Sequence, residues 1–416
     1  MALTLNKNGI TTGNTVEAYH VTQSIDAFTG TVAYDISLSG SFLLTGSMTN
    51  GTSNNVANNF SHAEGQTNIA SGYTSHAEGS NNIASGTAAH AEGAQNLALG
   101  DASHAEGQSV TSSGGWSHAE GYQTISSGSH SHAEGSNTIA IGIATHAEGF
   151  STSASGNYSH AEGIFTRATG LYSHAEGFGV LSSGISSHAE GHFTTSSGQY
   201  SHAEGHLTRA TGLYSHAEGS GSLSSGIASL STGYQTTASG NFSLAGGFQS
   251  KALGQSSIAF GVTNQSVGQS SFALGYNAYA GANSTFAFGK DVSCSNSSDY
   301  SIAAGDQSTV VGQTSFVFGY SLISSGSGGA SSQFVVGRNN TQGDSTSLFI
   351  VGSGNTSGAR RDAFKVTSTG SIILPTTQSV PPTWTGREGE IIPVATGSQY
   401  FLYMWIGGTW RSSSFV

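Results

Sequence analysis

Proline is almost missing. Only Pro375, Pro381, Pro382 and Pro393 occur in 416 residues, all in the last tenth of the chain. A proline-free stretch of this length suits a continuous sheet, because proline cannot donate to a strand ladder. Cysteine is missing too: Cys294 stands alone, which excludes a disulfide framework within one chain and any C-x-x-C redox or zinc motif. Charge is scarce at 8% of residues, against about 25% in ordinary domains. The eleven Lys and Arg are scattered without a basic cluster, so nucleic acid is not an expected partner. No run approaches the roughly 18 apolar residues of a membrane helix, and no membrane insertion is expected. The opening "MALTLNKNGITTGN" has no basic segment followed by an apolar one, which predicts synthesis and folding in a cytoplasm.

What is abundant is glycine, 60 residues, together with a strict period. Aromatic residues at 9% argue against a purely disordered chain. The tetrapeptide His-Ala-Glu-Gly begins at His62, His76, His90, His104, His118, His132, His146, His160, His174, His188, His202 and His216. The copies are always 14 residues apart, and their carboxylates are Glu64, Glu78, Glu92, Glu106, Glu120, Glu134, Glu148, Glu162, Glu176, Glu190, Glu204 and Glu218. Such spacing is the signature of a repeat architecture. The formal charge of −12 includes these twelve glutamates, and protonation of the twelve partner histidines would cancel them.

A second glycine is as regular as the first, running Gly72, Gly86, Gly100, Gly114 and onward to Gly226. Two glycines per unit predict two tight corners turned through positive φ, which glycine adopts without steric cost. Between corners, segments of about five residues are the length of short strands.

The period outlives the motif. Counting on from His216, the histidine slot holds Leu230, Leu244, Ile258, Phe272 and Phe286, and the glutamate slot holds Thr232, Gly246, Phe260, Leu274 and Phe288. After a two-residue insertion come "SIAAG" at 301 and "SFVFG" at 315, the latter with Phe316 and Phe318 in the two slots; "QFVVG" at 333 and "LFIVG" at 348 are looser echoes. One slot therefore accepts His or a large apolar residue, and its partner accepts Glu or a large apolar residue.

In a strand, residues i and i+2 share a face. His and Glu thus point one way and the intervening Ala the other. Stacked coils at about 4.8 Å per layer would make a rod of about 90 Å from nineteen coils, His62 to Phe316. The inward candidates are each motif Ala and the small residue two before the second glycine, such as Ala70, Ala84, Ser112 and Ala154. That interior is thin, and a column of Ile258, Phe260, Phe272, Leu274, Phe286 and Phe288 on the outer face would be a large sticky patch. Covering it with copies of itself predicts a closed homo-oligomer, with three chains the simplest arrangement for a fibre.

Four regions follow: a β-rich attachment or assembly region at 1–59, the His-Ala-Glu-Gly roll at 60–226, an apolar roll at 227–352 ending in irregular coils, and a β-rich cap or tip at 353–416. In the last, "AFKVTSTGSIILP" reads as two strands with a turn, and hairpins fall at "TGS" and "IGGT".

The S-φ-A-φ-G segments at 257–261 and 271–275, set in glycine-bounded 14-residue coils, resemble the head repeats of trimeric autotransporter adhesins over residues 60–320. The resemblance implies an all-β, left-handed parallel β-roll in which three chains pack through the two φ positions. It departs where φ-A-φ is His-Ala-Glu, and the chain shows no export signal, coiled-coil stalk or anchoring barrel of that family. The end, "REGEIIPVATGSQYFLYMWIGGTWRSSSF", is similar to C-terminal pieces of tailed-phage fibre proteins, which are released by lysis and need no secretion signal.

The histidines and glutamates admit two readings. Rings of three His would ligate zinc or nickel, with Glu assisting. The alternative is a polar trimer interface in which His meets Glu of the same or a neighbouring chain, fixing register. Replacement of the same slots by Ile and Phe favours the interface, so no metal and no cofactor are assigned. A carboxylate neighbour raises a His pKa and burial lowers it; stranded imidazolium at low pH predicts an acid-sensitive array. Catalysis is not the expected reading, because a general base needs one tuned pocket and not twelve copies. His192 and His206, one residue past the first glycine, are expected to be exposed, as are Arg167 and Arg209 in equivalent slots. Trp384, Tyr400, Tyr403, Trp405 and Trp410 are candidate receptor contacts, a glycan being one ligand on which aromatic rings stack; the competing role is the core of a small β domain.

The sequence thus predicts a non-enzymatic, homotrimeric fibre. The leading expectation is a phage tail fibre or virion appendage that touches other virion or tail proteins at one end and a host surface receptor at the other. The alternative is an extracellular or cell-surface bacterial adhesin or filament subunit.

Overall fold

A computed structural model describes residues 3–4, 34–35, 48–57, 60–324, 332–374, 386–396 and 399–415. Its centre is a parallel β-solenoid. Each coil carries one strand of five residues, such as His62–Gln66, and one of two, such as Ile69–Ala70. The long strands stack into one parallel sheet and the short strands into a second. Every pairing is in register, His on His and Glu on Glu, as in His104↔His118 and Glu106↔Glu120.

The long-strand sheet extends beyond the twelve motif copies. Met48–Thr52 pairs with His62–Gln66, so the roll reaches back across the boundary drawn at residue 59. After the motif ends, His216↔Leu230, Ile258↔Phe272 and Phe272↔Phe286 continue the same column. The two-residue insertion leaves the register intact, since Phe286 pairs with Ile302 and the extra residues are taken up in the turn between the short strand Ser293–Cys294 and Ile302–Asp306. The looser echoes also join, through Phe316↔Phe334 and Phe334↔Phe349. The final long strand, Ser347–Ser353, then turns the sheet antiparallel by pairing with Asp362–Thr367, which pairs with Ile372–Ile373. This closes the edge that a parallel stack leaves open.

That end is pinned by charge. Lys365 Nζ lies 2.7 Å from Asp362 Oδ2 and 2.9 Å from Asp344 Oδ2, all three side chains being largely buried. Asp344 also accepts from the Thr346 and Ser347 amides and from both hydroxyls. A separate three-stranded antiparallel sheet is formed by Ile391–Thr396, Gln399–Ile406 and Thr409–Phe415. It contains the hairpin read at "IGGT", with Gly407 and Gly408 both at positive φ. The "TGS" turn lies mostly outside the described residues, although its flanking Thr396 and Gln399 pair. Near the N-terminus, Leu3–Thr4 pairs in parallel with Tyr34–Asp35, and the remaining strands expected there fall outside the described residues.

The interior is broader than the two inward positions expected. The motif Ala and the small residue of the short strand are indeed fully buried, as at Ala63, Ala70, Ala77 and Ala84. Two further positions per coil join them. The residue before each His is buried, and in many coils its hydroxyl donates back to the second glycine's carbonyl, as from Ser75 to Gly72 at 2.8 Å and Ser131 to Gly128 at 2.6 Å. The residue six after each His is also buried. In the first coils it is Asn68, Asn82 and Asn96, whose side chains bridge layers: Asn82 N donates to Asn68 Oδ1 at 2.9 Å and Asn82 Nδ2 to the Gly93 carbonyl at 2.8 Å. Later coils place Thr138, Val180 or Val292 there.

The glycines divide the work differently from the expectation of two positive-φ corners. The first does adopt positive φ, +102° at Gly65, but it lies inside the long strand, not at a corner. The second is not at positive φ. It is needed for close approach: a Cβ at Gly86 would stand 1.9 Å from the carbonyl oxygen of Gly100 in the next coil. The left-handed corner residues are instead mostly non-glycines, such as Thr67 at +58° and Ala88 at +55°, with Gly179 and Gly221 the exceptions among the described corners. Neighbouring coils hold them by backbone bonds, for example Ala88 N to Tyr73 O at 2.8 Å.

Candidate functional site

Because the motif Ala faces in, His and Glu face out. All twelve histidines form one column along the exposed side of the long-strand sheet, beside a parallel column of glutamates. Adjacent imidazoles stack with centroids 4.7–4.8 Å apart, the sheet's own layer spacing. Stacking covers the ring faces, and the Nε2 atom of every ladder histidine is buried and has no hydrogen-bond partner. In nine coils the carboxylate of the same coil lies close by. Nε2 to Oε2 distances run from 3.5 Å at His146–Glu148 and His160–Glu162 to 3.8 Å at His62–Glu64. These exceed hydrogen-bond length, so the pairs are close without being bonded. Side chains remain about one-third exposed, for example 36% and 40% at His118 and Glu120.

Burial sets the charge state. It holds His76, His104, His132, His160, His174 and His202 below the usual imidazole range, and stacked histidine neighbours push the same way, outweighing the carboxylates. Pairing with Glu therefore does not win at these positions. Glu92 moves upward, through burial first, then a hydrogen bond with Glu78 and repulsion from Glu106.

Past Glu218 the same face becomes apolar. Phe260, Phe286, Phe288 and Phe318 are 40–60% exposed, and Ile258, Phe272, Leu274 and Phe316 are half-buried by their neighbours in the column. Phe272 and Phe286 stack at 4.7 Å, as the histidines do. The structure therefore brings the residues of the polar and apolar slots into one continuous surface stripe.

Other columns run along the corners, and the slot-by-slot reading did not single them out. Trp116 stacks on His130, Tyr158 on Tyr172 and Tyr200 on Tyr214, each at 5.1 Å, from the slot two before His. Phe178, His192 and His206 stack in turn at 5.1 Å from the slot after the first glycine. Counting by 14 reveals both columns once these positions are compared. His192 and His206 are exposed, as are Arg167 and Arg209.

Of the terminal aromatics, the side chains of Tyr403, Trp405 and Trp410 are described. Trp405 and Trp410 pair edge-to-face at 5.3 Å and are half-buried, as is Tyr403. Tyr400 lies in the strand Gln399–Ile406, and Trp384 lies outside the described residues. A Cβ at Gly386 would meet both Trp405 and Trp410 within 2.8 Å, so these rings pack on their own chain. Cys294 is fully buried in the roll, and burial pushes its thiol up to about 12, far from a reactive nucleophile.

The architecture is an all-β parallel solenoid with a continuous outer ladder. Four segments, residues 119–143, 224–250, 252–278 and 266–291, match the YadA head domain repeat (2 copies). The coils in these segments are thus similar to the head repeats of trimeric autotransporter adhesins, and the match includes a His-Ala-Glu-Gly stretch as well as the apolar coils. No curated protein matches the chain. Nothing matched bears on the tail-fibre resemblance of the C-terminal module.

Proposed function

We propose that the chain is the subunit of a homotrimeric, non-enzymatic surface appendage whose β-roll forms an adhesive shaft or head. The observation that carries this reading is the exposed outer stripe. An exposed apolar column including Phe260, Phe286 and Phe288 is an interaction surface, and it lies within the segments that match the head repeat. Three copies packed through that face bury it in a closed assembly. The polar ladder lies on the same face, so His and Glu line the same interface further along and oppose slipped pairing. Partners beyond the chain itself are a host or cell-surface receptor and the particle or cell that carries the fibre. The location that fits is extracellular or surface-exposed.

A tail fibre of a virion is the second reading, supported by the C-terminal sequence that is similar to phage fibre ends. The test of association is the native mass. A trimer of three 42.1 kDa chains is expected from sedimentation equilibrium. The double substitution F260E/F288E should release monomers, whereas a wild-type monomer at micromolar concentration would overturn the proposal.

A further inference from the structure

The ladder poses an electrostatic problem that association by itself does not solve. The chain has 23 acidic residues, of which twelve are ladder glutamates, leaving eleven to balance eleven Lys and Arg. The whole formal charge of −12 therefore resides in one column. In-register parallel pairing sets each carboxylate beside the next, as in Glu120↔Glu134, and like charges directly opposite one another destabilise a sheet. No lysine or arginine lies in either column. The basic atoms within these columns are the twelve buried Nε2 nitrogens, none of which has a hydrogen-bond partner.

We propose that the His-Ala-Glu ladder is a linear array of divalent transition-metal sites, each made within one chain by two adjacent coils. Ligand atoms of His90, Glu92 and His104 lie within 4.8 Å of one another, as do those of His118, Glu120 and His132, and these two sets share no residue. Within a coil, the Nε2 to Oε2 separation of 3.5–3.8 Å is close to the about 3.4 Å spanned by a nitrogen and an oxygen on one tetrahedral zinc. The second imidazole, stacked almost parallel to the first, has to tilt toward the ion; the fourth position is left for water or for a neighbouring copy. Neutral imidazole and carboxylate together select zinc, nickel or copper over magnesium or calcium, which prefer all-oxygen sites.

Using two coils per ion answers the crowding that one ion per layer would create. Ligand sets of this kind are formed between His90 and His146 and, as Glu190, His202 and Glu204, further along; one ion per two coils throughout the ladder would place six ions about 9.5 Å apart, with a charge equal to that of the twelve glutamates. The sequence supports the pairing in another way. Wherever the histidine slot turns apolar, the glutamate slot loses its carboxylate in the same coil, at Leu230 with Thr232, Leu244 with Gly246 and Ile258 with Phe260. No coil keeps one without the other. A purely apolar interface would tolerate mixed coils, whereas a ligand pair is useless when halved. The sites lie within one chain, so they go beyond the association proposed above and do not depend on it.

The experiment uses the untagged full chain, stripped with EDTA, loaded with zinc chloride, freed of excess metal by gel filtration and assayed for bound zinc. Several zinc ions per chain, up to six, are expected, together with a rise in melting temperature. Replacing the His and Glu of two adjacent coils by Phe and Leu, the residues this sheet carries at Phe272 and Leu274, should remove about one ion while leaving the circular dichroism of the roll unchanged. The exposed pair H192Q/H206Q should remove none. Absence of retained zinc, zinc content indifferent to the coil swaps, or an equal thermal shift with magnesium chloride would each overturn the proposal.

Discussion

The imidazole of His146 stacks on that of His160 with 4.8 Å between ring centroids and 1° between their planes. That spacing is the distance between strands in a sheet, so the histidines are aligned by the backbone and not by attraction among themselves. Charge placed on one ring is felt by the next, and the acid response of the roll follows.

In metal-free protein, acid should destabilise the ladder. His76, His104, His132, His160, His174 and His202 have folded pKa values held below the usual 6.5, by burial and then by the stacked histidines above or below, against the opposing pull of glutamates in their own and adjacent coils. The unfolded chain then binds more protons just below pH 6.5, so stability is full above that pH and declines as pH falls toward the folded values. Glu92, raised in the fold, works in the opposite sense near its own range. Thermal melts in EDTA should give a lower midpoint at pH 5.5 than at pH 7.5; equal midpoints would contradict the charge states derived above.

Gly86→Ala should be disruptive even though Gly86 is not at positive φ. The new methyl would stand 1.9 Å from a backbone carbonyl, which cannot move without parting two coils. Overpacking of this kind costs about 1–3 kcal/mol or more. Ala88→Asn is the contrasting change: at φ +55° on an exposed corner, asparagine adopts the left-handed region more readily than alanine. Chemical denaturation should place the two variants on opposite sides of the parent.

Thr138→Val should stabilise. The Thr138 hydroxyl is buried and has no hydrogen-bond partner, while the same interior slot holds Val110 and Val180 elsewhere. Removing an unsatisfied buried polar atom is worth about 1 kcal/mol. The readout is the denaturation midpoint, and a drop in it would show that the hydroxyl is satisfied in solution.

Lys365→Met should open the C-terminal end of the roll. It leaves Asp362 and Asp344 buried without their cation, and breaking a buried pair on one side costs about 3–5 kcal/mol. Hydrogen exchange should rise in Ser347–Ser353 and Asp362–Thr367 and stay unchanged near His118. Acid should act on the same end. Asp344 is held far below the usual carboxylate range by Lys365 and by the Ser347 and Thr346 donors, against the upward push of burial. Its stabilisation is complete above about pH 4 and is lost as pH falls below that.

Cys294 gives an internal probe. With its thiol pushed up to about 12 by burial, alkylation by iodoacetamide at pH 8 should be negligible in the folded chain and complete in denaturant. Rapid labelling without denaturant would mean that this coil opens locally.

Much of the architecture was legible from period alone. A 14-residue repeat without proline dictated stacked parallel coils, and alternation along the strand decided that the motif Ala faces in while His and Glu face out. The persistence of the period through Phe272, Phe286 and Phe316 identified one continuous outer stripe, because a strand cannot change face without a change of register. The sequence also made Cys294 a residue without an intrachain partner.

Other features were decided only by tertiary contact. The second glycine looked like a corner residue, but its role is the close approach of Gly86 to Gly100, a distance between coils that no local rule contains. The corners fell instead to residues such as Thr67 and Ala88, whose left-handed backbone is held by bonds from neighbouring coils. The inward places of Ser75 and Asn82 depended on the path around those corners. Stacking, too, is a property of the assembled sheet: it lines the imidazoles up in one row, and burial together with the neighbouring rings outweighs the carboxylates' pull at His76, His104, His132, His160, His174 and His202.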